Sequence, residues 1–105
     1  MNGYLLDSRS SRSCRVLQLT RHAADKLEAY GITGSRLESW RSAFAAAEPF
    51  LDVSTGARGL VIHWEKRPWI VILREDGSAV VTTYPTDERT VRSRFGGGRW
   101  MSPSS

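Results

Sequence analysis

Residues 60–85 read LVIHWEKRPWIVILREDGSAVVTTYP, and the fold turns on how this stretch is divided. Residues 69–75, "WIVILRE", are almost continuously apolar and β-branched, as a central strand should be. Asp76-Gly77 is a strong two-residue hairpin signal. It makes 78–85 the returning strand, which Pro85 ends. Upstream, 60–65 alternates, and "EKRP" turns the chain. Alternation places Leu60, Ile62 and Trp64 on one face and Val61, His63 and Glu65 on the other. The first set reads as core, so His63 and Glu65 should point away from the helices. On the returning strand Val80, Thr82 and Tyr84 should share a face. Three antiparallel strands follow from these residues alone.

Working back from this meander, the period lengthens. Phe50, Leu51 and Val53 suggest one more short strand, and 54–59, "STGARG", a turn. Leu37, Trp40, Phe44 and Ala47 mark the buried stripe of a helix over about 35–47. Ser35 and Glu38 have capping-box spacing at its start, and Pro49 closes it. Ala23, Leu27 and Tyr30 form a second stripe, over about 21–30. Thr20 can cap that helix, and Gly31 is a natural stop. Residues 15–20, "RVLQLT", alternate as a short strand. The order β-α-α-β-β-β-β predicts an α+β domain: two N-terminal helices packed on one face of a small antiparallel sheet. The domain should span 15–95. Residues 1–14, rich in Ser and Arg, read as a mobile leader, and 96–105, rich in Gly and Ser, as a flexible tail in which Trp100 is open to stacking on a base.

With 105 residues, the chain should bury roughly 60–65% of its unfolded surface, enough for a single domain. No stretch reaches the roughly 20 apolar residues of a membrane-spanning helix, and the start lacks the apolar core of a secretion signal, so a cytoplasmic setting is expected. The lone Cys14 and two histidines argue against a four-ligand zinc site, and no metal or cofactor is expected. The formal charge is +4. The excess lies in residues 1–20 and 84–105, while the middle is balanced. Thirteen of the 15 basic residues are Arg, whose planar fork suits phosphate. This balance permits a nucleic-acid partner.

Metal-free RNA cleavage needs a base for the 2′-hydroxyl, an acid for the leaving 5′-oxygen and cations for the developing charge. His22, in the first turn of the first helix, is the candidate base, and His63 the matching acid. Thr82 and Tyr84 offer a hydroxyl and a ring two residues apart. Arg21, Arg58, Lys66, Arg67 and Arg94 are candidate phosphate contacts. Each of these charges also fits a solvated surface, and the threonine and tyrosine also fit as good strand formers.

"LTRHAADKLEAYGIT", 19–33, followed by a meander ending in "VVTTYP" resembles the small toxins grouped with RelE and ParE, in the barnase–EndoU–colicin–RelE superfamily of ribonucleases. The resemblance covers about 17–85. It rests on an opening "T-x-H-A-x-x-R-[LM]-x-x-R-G-I-[ST]", matched by Thr20, His22, Ala23, Leu27, Gly31, Ile32 and Thr33, and on a closing "T-x-Y", matched by Thr82 and Tyr84. The two arginines of the opening are Lys26 and Tyr30 here. The resemblance implies an α+β fold with helices before the sheet, and metal-independent endoribonuclease activity on a tRNA or ribosome-bound mRNA. It also implies a cognate antitoxin or immunity protein. Two alternatives stay open: a non-catalytic nucleic-acid- or protein-binding module of the same fold, and a ParE-like gyrase inhibitor.

Overall fold

The apolar alternation of 58–73 builds the centre of a six-stranded sheet. In the computed structural model, which describes residues 17–103, β3 (Arg58–Trp64) pairs antiparallel with β4 (Arg67–Leu73), from Arg58↔Leu73 to Trp64↔Arg67. On one side β4 pairs with β5 (Ala79–Pro85), and on the other β3 pairs with β2 (Glu48–Asp52). Gly77 makes the β4–β5 turn with a left-handed φ of 75°. Two short strands flank this meander: β1 (Gln18–Leu19) beside β5 and β6 (Trp100–Met101) beside β2. The order is β1-β5-β4-β3-β2-β6. β1 runs parallel to β5, so the sheet is mixed rather than purely antiparallel. The helices between β1 and the meander supply the long connection that a parallel pair needs.

α1 (Arg21–Ala29) and α2 (Gly34–Ser42) follow β1, and one turn of 3-10 helix (Ala43–Ala46) ends the second helical stretch. Thr20 caps α1: its Oγ1 accepts from the Ala23 amide and donates to the Val81 carbonyl, at 3.2 and 3.1 Å. One side chain thus closes the helix start and fastens it to β5. The capping box expected at Ser35 and Glu38 does not form. α2 starts one residue earlier, after Thr33, with no side-chain cap. Ala23, Leu27, Ile32 and Trp40 pack on Ile62, Trp64, Trp69, Val71 and Val80, with Leu60 at the margin. The face assigned to Leu60, Ile62 and Trp64 is therefore the face beneath the helices.

The opposite face is also covered. A third helix, α3 (Glu88–Gly96), capped by Asp87, lays Val91 and Phe95 over Phe50, Val61 and Ile70. Trp100 completes this second core, stacked on Phe50 with ring centroids 4.0 Å apart. The flexible tail expected over 96–105 is corrected as far as Pro103: the chain after α3 returns to the sheet as β6, because Trp100 has apolar area to bury. The expected leader, 1–14, lies outside the described residues. Asp52, nearly buried, ties the return down. It accepts from the Ser54 and Thr55 amides, Ser54 Oγ, Arg99 Nε and Trp100 Nε1. Burial opposes its charge, but the hydrogen bonds from Ser54, Arg99 and Trp100 outweigh it and hold the carboxyl well below the usual range.

Gly59 matters to this layer, since a Cβ there would overlap the Phe50 ring on the neighbouring strand. Over the described residues the result is a single α+β domain of three helices and a mixed sheet, layered helix–sheet–helix. Among the described residues, no helix is long and apolar enough to cross a membrane.

Candidate functional site

Trp64 and Arg67 pair across β3 and β4, so only Glu65 and Lys66 are left to make the turn between them. Both have left-handed φ, 53° and 66°. That conformation matches the twist of a two-residue hairpin, but it normally selects Gly, Asn or Asp. Here two side chains with a Cβ hold it, at about 1–2 kcal/mol each. The turn carries three ionisable groups to one end of the sheet, and a fourth arrives from α2. Arg36 forms a two-point pair with the Glu65 carboxylate at 3.2 and 3.3 Å. Its guanidinium carbon lies over the Trp64 ring, 4.9 Å from the centroid, in cation–π range. The end of α1 adds Tyr30, whose ring meets Trp69 edge-on at 5.3 Å.

Between these groups lies an open cleft of about 240 Å³, walled by Tyr30, Trp64 and Trp69 and rimmed by Arg36, Glu65 and Arg67. Glu65 is engaged by Arg36. Lys66 and Arg67 are exposed and make no ion pair among the described residues. The rim is therefore cationic in balance.

Around the same end of the sheet, on the α3 side, stands His63. Its Nε2 lies 2.8 Å from Glu88 Oε2, in the first turn of α3, and both side chains are about half exposed. With the ring proton on Nε2 this is a donated hydrogen bond, and Nδ1 is left as an acceptor. Asp87, the preceding residue, accepts from the Thr90 amide at 2.7 Å. That backbone hydrogen bond, then the Thr90 side chain, lowers its carboxyl below the ordinary value.

A bulge decides where Thr82 and Tyr84 point. Val80 pairs with Leu73 but Thr82 pairs with Ile72, leaving Val81 as the extra residue. The bulge reverses the face of everything after it. Val80 stays under α1 and α2, whereas Thr82 and Tyr84 turn to the α3 side, opposite Ile72 and Ile70. The expectation that Val80, Thr82 and Tyr84 share a face is corrected on this ground. Thr83, not Thr82, is buried on the first face, donating to the Ile70 carbonyl at 2.7 Å.

The fold brings some of the expected site residues together and separates others. His63, Thr82 and Tyr84 share the α3 face. Lys66 and Arg67 lie at its hairpin end. His22 does not join them. It is exposed on the other helix layer, at the start of α1. There Thr20 fixes it level with Val81, whereas Tyr30 reaches the cleft eight residues later, about 12 Å along the helix axis. His22 makes no hydrogen bond or ion pair among the described residues, and Arg21 beside it is exposed. Arg58 opens β3 at the far end of the sheet rather than lying in a loop. Arg94 sits in the last turn of α3, 6.0 Å from the Trp100 ring centroid, near that same far end. The expected phosphate contacts are thus split between two ends of the sheet. Among the described residues, no group of three or more His, Cys, Asp or Glu side chains is placed to hold a metal ion.

The sequence reading missed Arg36, Glu65 and Glu88. The one local signal was a two-residue turn without Gly, Asn or Asp, which marks Glu65 and Lys66 as strained. The partners of Glu65 and His63, 29 and 25 residues distant, have no local signature. Comparison of the chain with protein-family models, with curated proteins and with solved structures finds no match.

Proposed function

We propose that this protein binds RNA, using the hairpin end of its sheet as the contact surface. One observation carries the reading: Arg36 and Arg67 stand on the rim of a single cleft whose rim carboxylate, Glu65, is already engaged, and Lys66 lies beside them on the hairpin turn. Such a rim attracts phosphates, and both of its cations present the Arg fork. The net charge of +4 supports an anionic partner, and the RelE/ParE-like resemblance favours RNA over other polyanions. Titration of single-stranded RNA at increasing salt tests the reading. Affinity should fall by roughly 0.7 log units per log unit of salt for each neutralised phosphate. Lys66→Gln and Arg67→Gln should each lower the slope, while Arg58→Gln, at the far end, should leave it unchanged. A flat salt response in the parent protein would remove the proposal.

A second reading, endoribonuclease, is favoured by the His63–Glu88 contact. Glu88 orients the ring as a carboxylate orients a general base. His63 Nδ1 would take the 2′-hydroxyl proton. The 2′-oxygen would bond to phosphorus, and the bond from phosphorus to the 5′-oxygen would break. That oxygen would receive a proton from the Tyr84 hydroxyl on the same face, leaving a 2′,3′-cyclic phosphate. In a toxin of this kind a cognate antitoxin or immunity protein would accompany the activity. RNA incubated in EDTA with parent, His63→Gln and His22→Gln proteins separates the possibilities. Loss with His63→Gln alone supports the dyad. Loss with His22→Gln alone restores the first-helix histidine as base. Intact RNA with the parent leaves a binding module.

A further inference from the structure

We infer that the cleft between α1, α2 and the β3–β4 hairpin is a nucleobase pocket, taking one unpaired base of a single-stranded RNA with its phosphate on Lys66 and Arg67. This deepens the RNA-binding reading and rests on it. The walls are aromatic: Tyr30 is 46% exposed, and its ring stands edge-on to Trp69 at 80°. Trp64 contributes the wall beneath Arg36. Every base has a π face, so stacking on such rings, or on an Arg guanidinium plane, binds bases with little regard to sequence.

Size favours a single ring system. At about 240 Å³ the cleft falls below the roughly 300–1,000 Å³ of sites for drug-sized ligands. Charge favours a nucleotide over an aromatic or proline side chain of a peptide. Two arginines stand on the rim against one carboxylate, Arg36 occupies that carboxylate at two points, and Lys66 lies next to them on the hairpin turn. A neutral side chain would fill the walls and bring no charge to Lys66, which makes no ion pair among the described residues, or to Arg67, which already acts on the Asp87 carboxyl. A base carries its own phosphate to them.

The hairpin also explains how the pocket keeps its shape. Glu65 and Lys66 are both held at left-handed φ, a conformation that persists in such residues only where the surroundings over-determine it. Here the two-point pair from Arg36 fixes Glu65. The guanidinium of the same pair stands over the Trp64 ring.

The experiment compares two hexamers, both 2′-O-methylated so that they cannot be cleaved: one of uridines, one with abasic sugars and the same phosphates. Binding to the full chain is followed by tryptophan fluorescence and by anisotropy of an end label. The uridine hexamer should bind the parent about 5–100-fold more tightly than the abasic one, the span expected for stacking one base. Tyr30→Ala, at an exposed position, should erase most of that difference while leaving abasic binding unchanged. Arg67→Gln should weaken both hexamers alike, because it acts on phosphate. Equal, salt-sensitive binding of both hexamers to the parent would overturn the pocket and leave the RNA-binding surface standing. No binding of either would overturn both. Tighter, Tyr30-dependent binding of a proline- and tyrosine-containing peptide than of the uridine hexamer would assign the cleft to a protein partner instead.

Discussion

Replacing Lys66 by glycine should stabilise this protein, although it deletes a whole side chain. Lys66 sits at φ 66°, inside a two-residue turn whose other member, Glu65, has φ 53°. A residue with a Cβ carries about 1–2 kcal/mol in this region, and glycine carries almost none. Glycine loses more backbone freedom on folding, which returns about 0.5–1 kcal/mol. The lysine side chain is exposed and makes no ion pair among the described residues, so little else is lost. The net gain should be about 0.5–1 kcal/mol, or roughly 3–6 °C in Tm for a domain of this size. Valine at the same position, stiff and β-branched, should lower Tm, because such residues are genuine outliers at positive φ. Asparagine should fall between glycine and lysine. Thermal unfolding of the four proteins, followed by near-ultraviolet circular dichroism, gives the order Gly > Asn > Lys > Val. If glycine lowered Tm by more than about 3 °C while valine was neutral, the turn would not be left-handed at Lys66, and the strain assigned to it would be refuted.

Four further outcomes follow from the packing. Trp40→Ala should cost about 3–5 kcal/mol by urea denaturation, since the ring is fully buried between Phe44 and Trp69; a loss under about 1 kcal/mol would mean that α2 does not cover the sheet. Gly59→Ala should cost about 1–3 kcal/mol by overpacking against Phe50, and adding Phe50→Leu should recover part of it. Asp52→Asn should cost about 2–3 kcal/mol at neutral pH, because charged hydrogen bonds to Ser54, Arg99 and Trp100 are lost. The folded carboxyl is lowered, so its contribution is complete above the unfolded value of about 3.9 and is lost as pH falls below it. The Asn variant should show a shallower decline between about pH 5 and 3, and an identical decline would remove Asp52 as the cause. Thr20→Val, which removes both the cap and the tie to Val81, should cost about 1–2 kcal/mol, readable as a matching Tm drop.

Local chemistry in the sequence was enough for the meander, the two N-terminal helices and the face of Leu60, Ile62 and Trp64 that lies beneath them. An apolar β-branched run, an Asp-Gly turn and a 3.6-residue stripe each act within a few residues, so their outcome does not wait on the rest of the chain. The same holds for the Thr20 cap and for the presence of a turn after residue 64, whereas its two-residue length and its left-handed Glu65 and Lys66 came from the pairing of Trp64 with Arg67. The layer on the far face was decided at longer range. α3 shows only Val91 and Phe95 as apolar anchors among arginines, and Trp100 follows three glycines and an arginine. Neither segment signals burial until Phe50, Val61 and Ile70 are assembled beneath it. The parallel pairing of β1 depends on where the returning strand lies, which no residue near Gln18 encodes. The candidate site divides in the same way. The residue types were legible: histidines, hairpin cations, and a threonine–tyrosine pair. Their grouping was set by one extra residue at Val81, which turned Thr82 and Tyr84 to the α3 side, and by the separate anchoring of α1, which left His22 on the other. Arg36 and Glu88 entered the site from elements 29 and 25 residues distant from their partners. Contacts of that span exist only once both faces of the sheet are packed, and that is why only the tertiary structure could supply them.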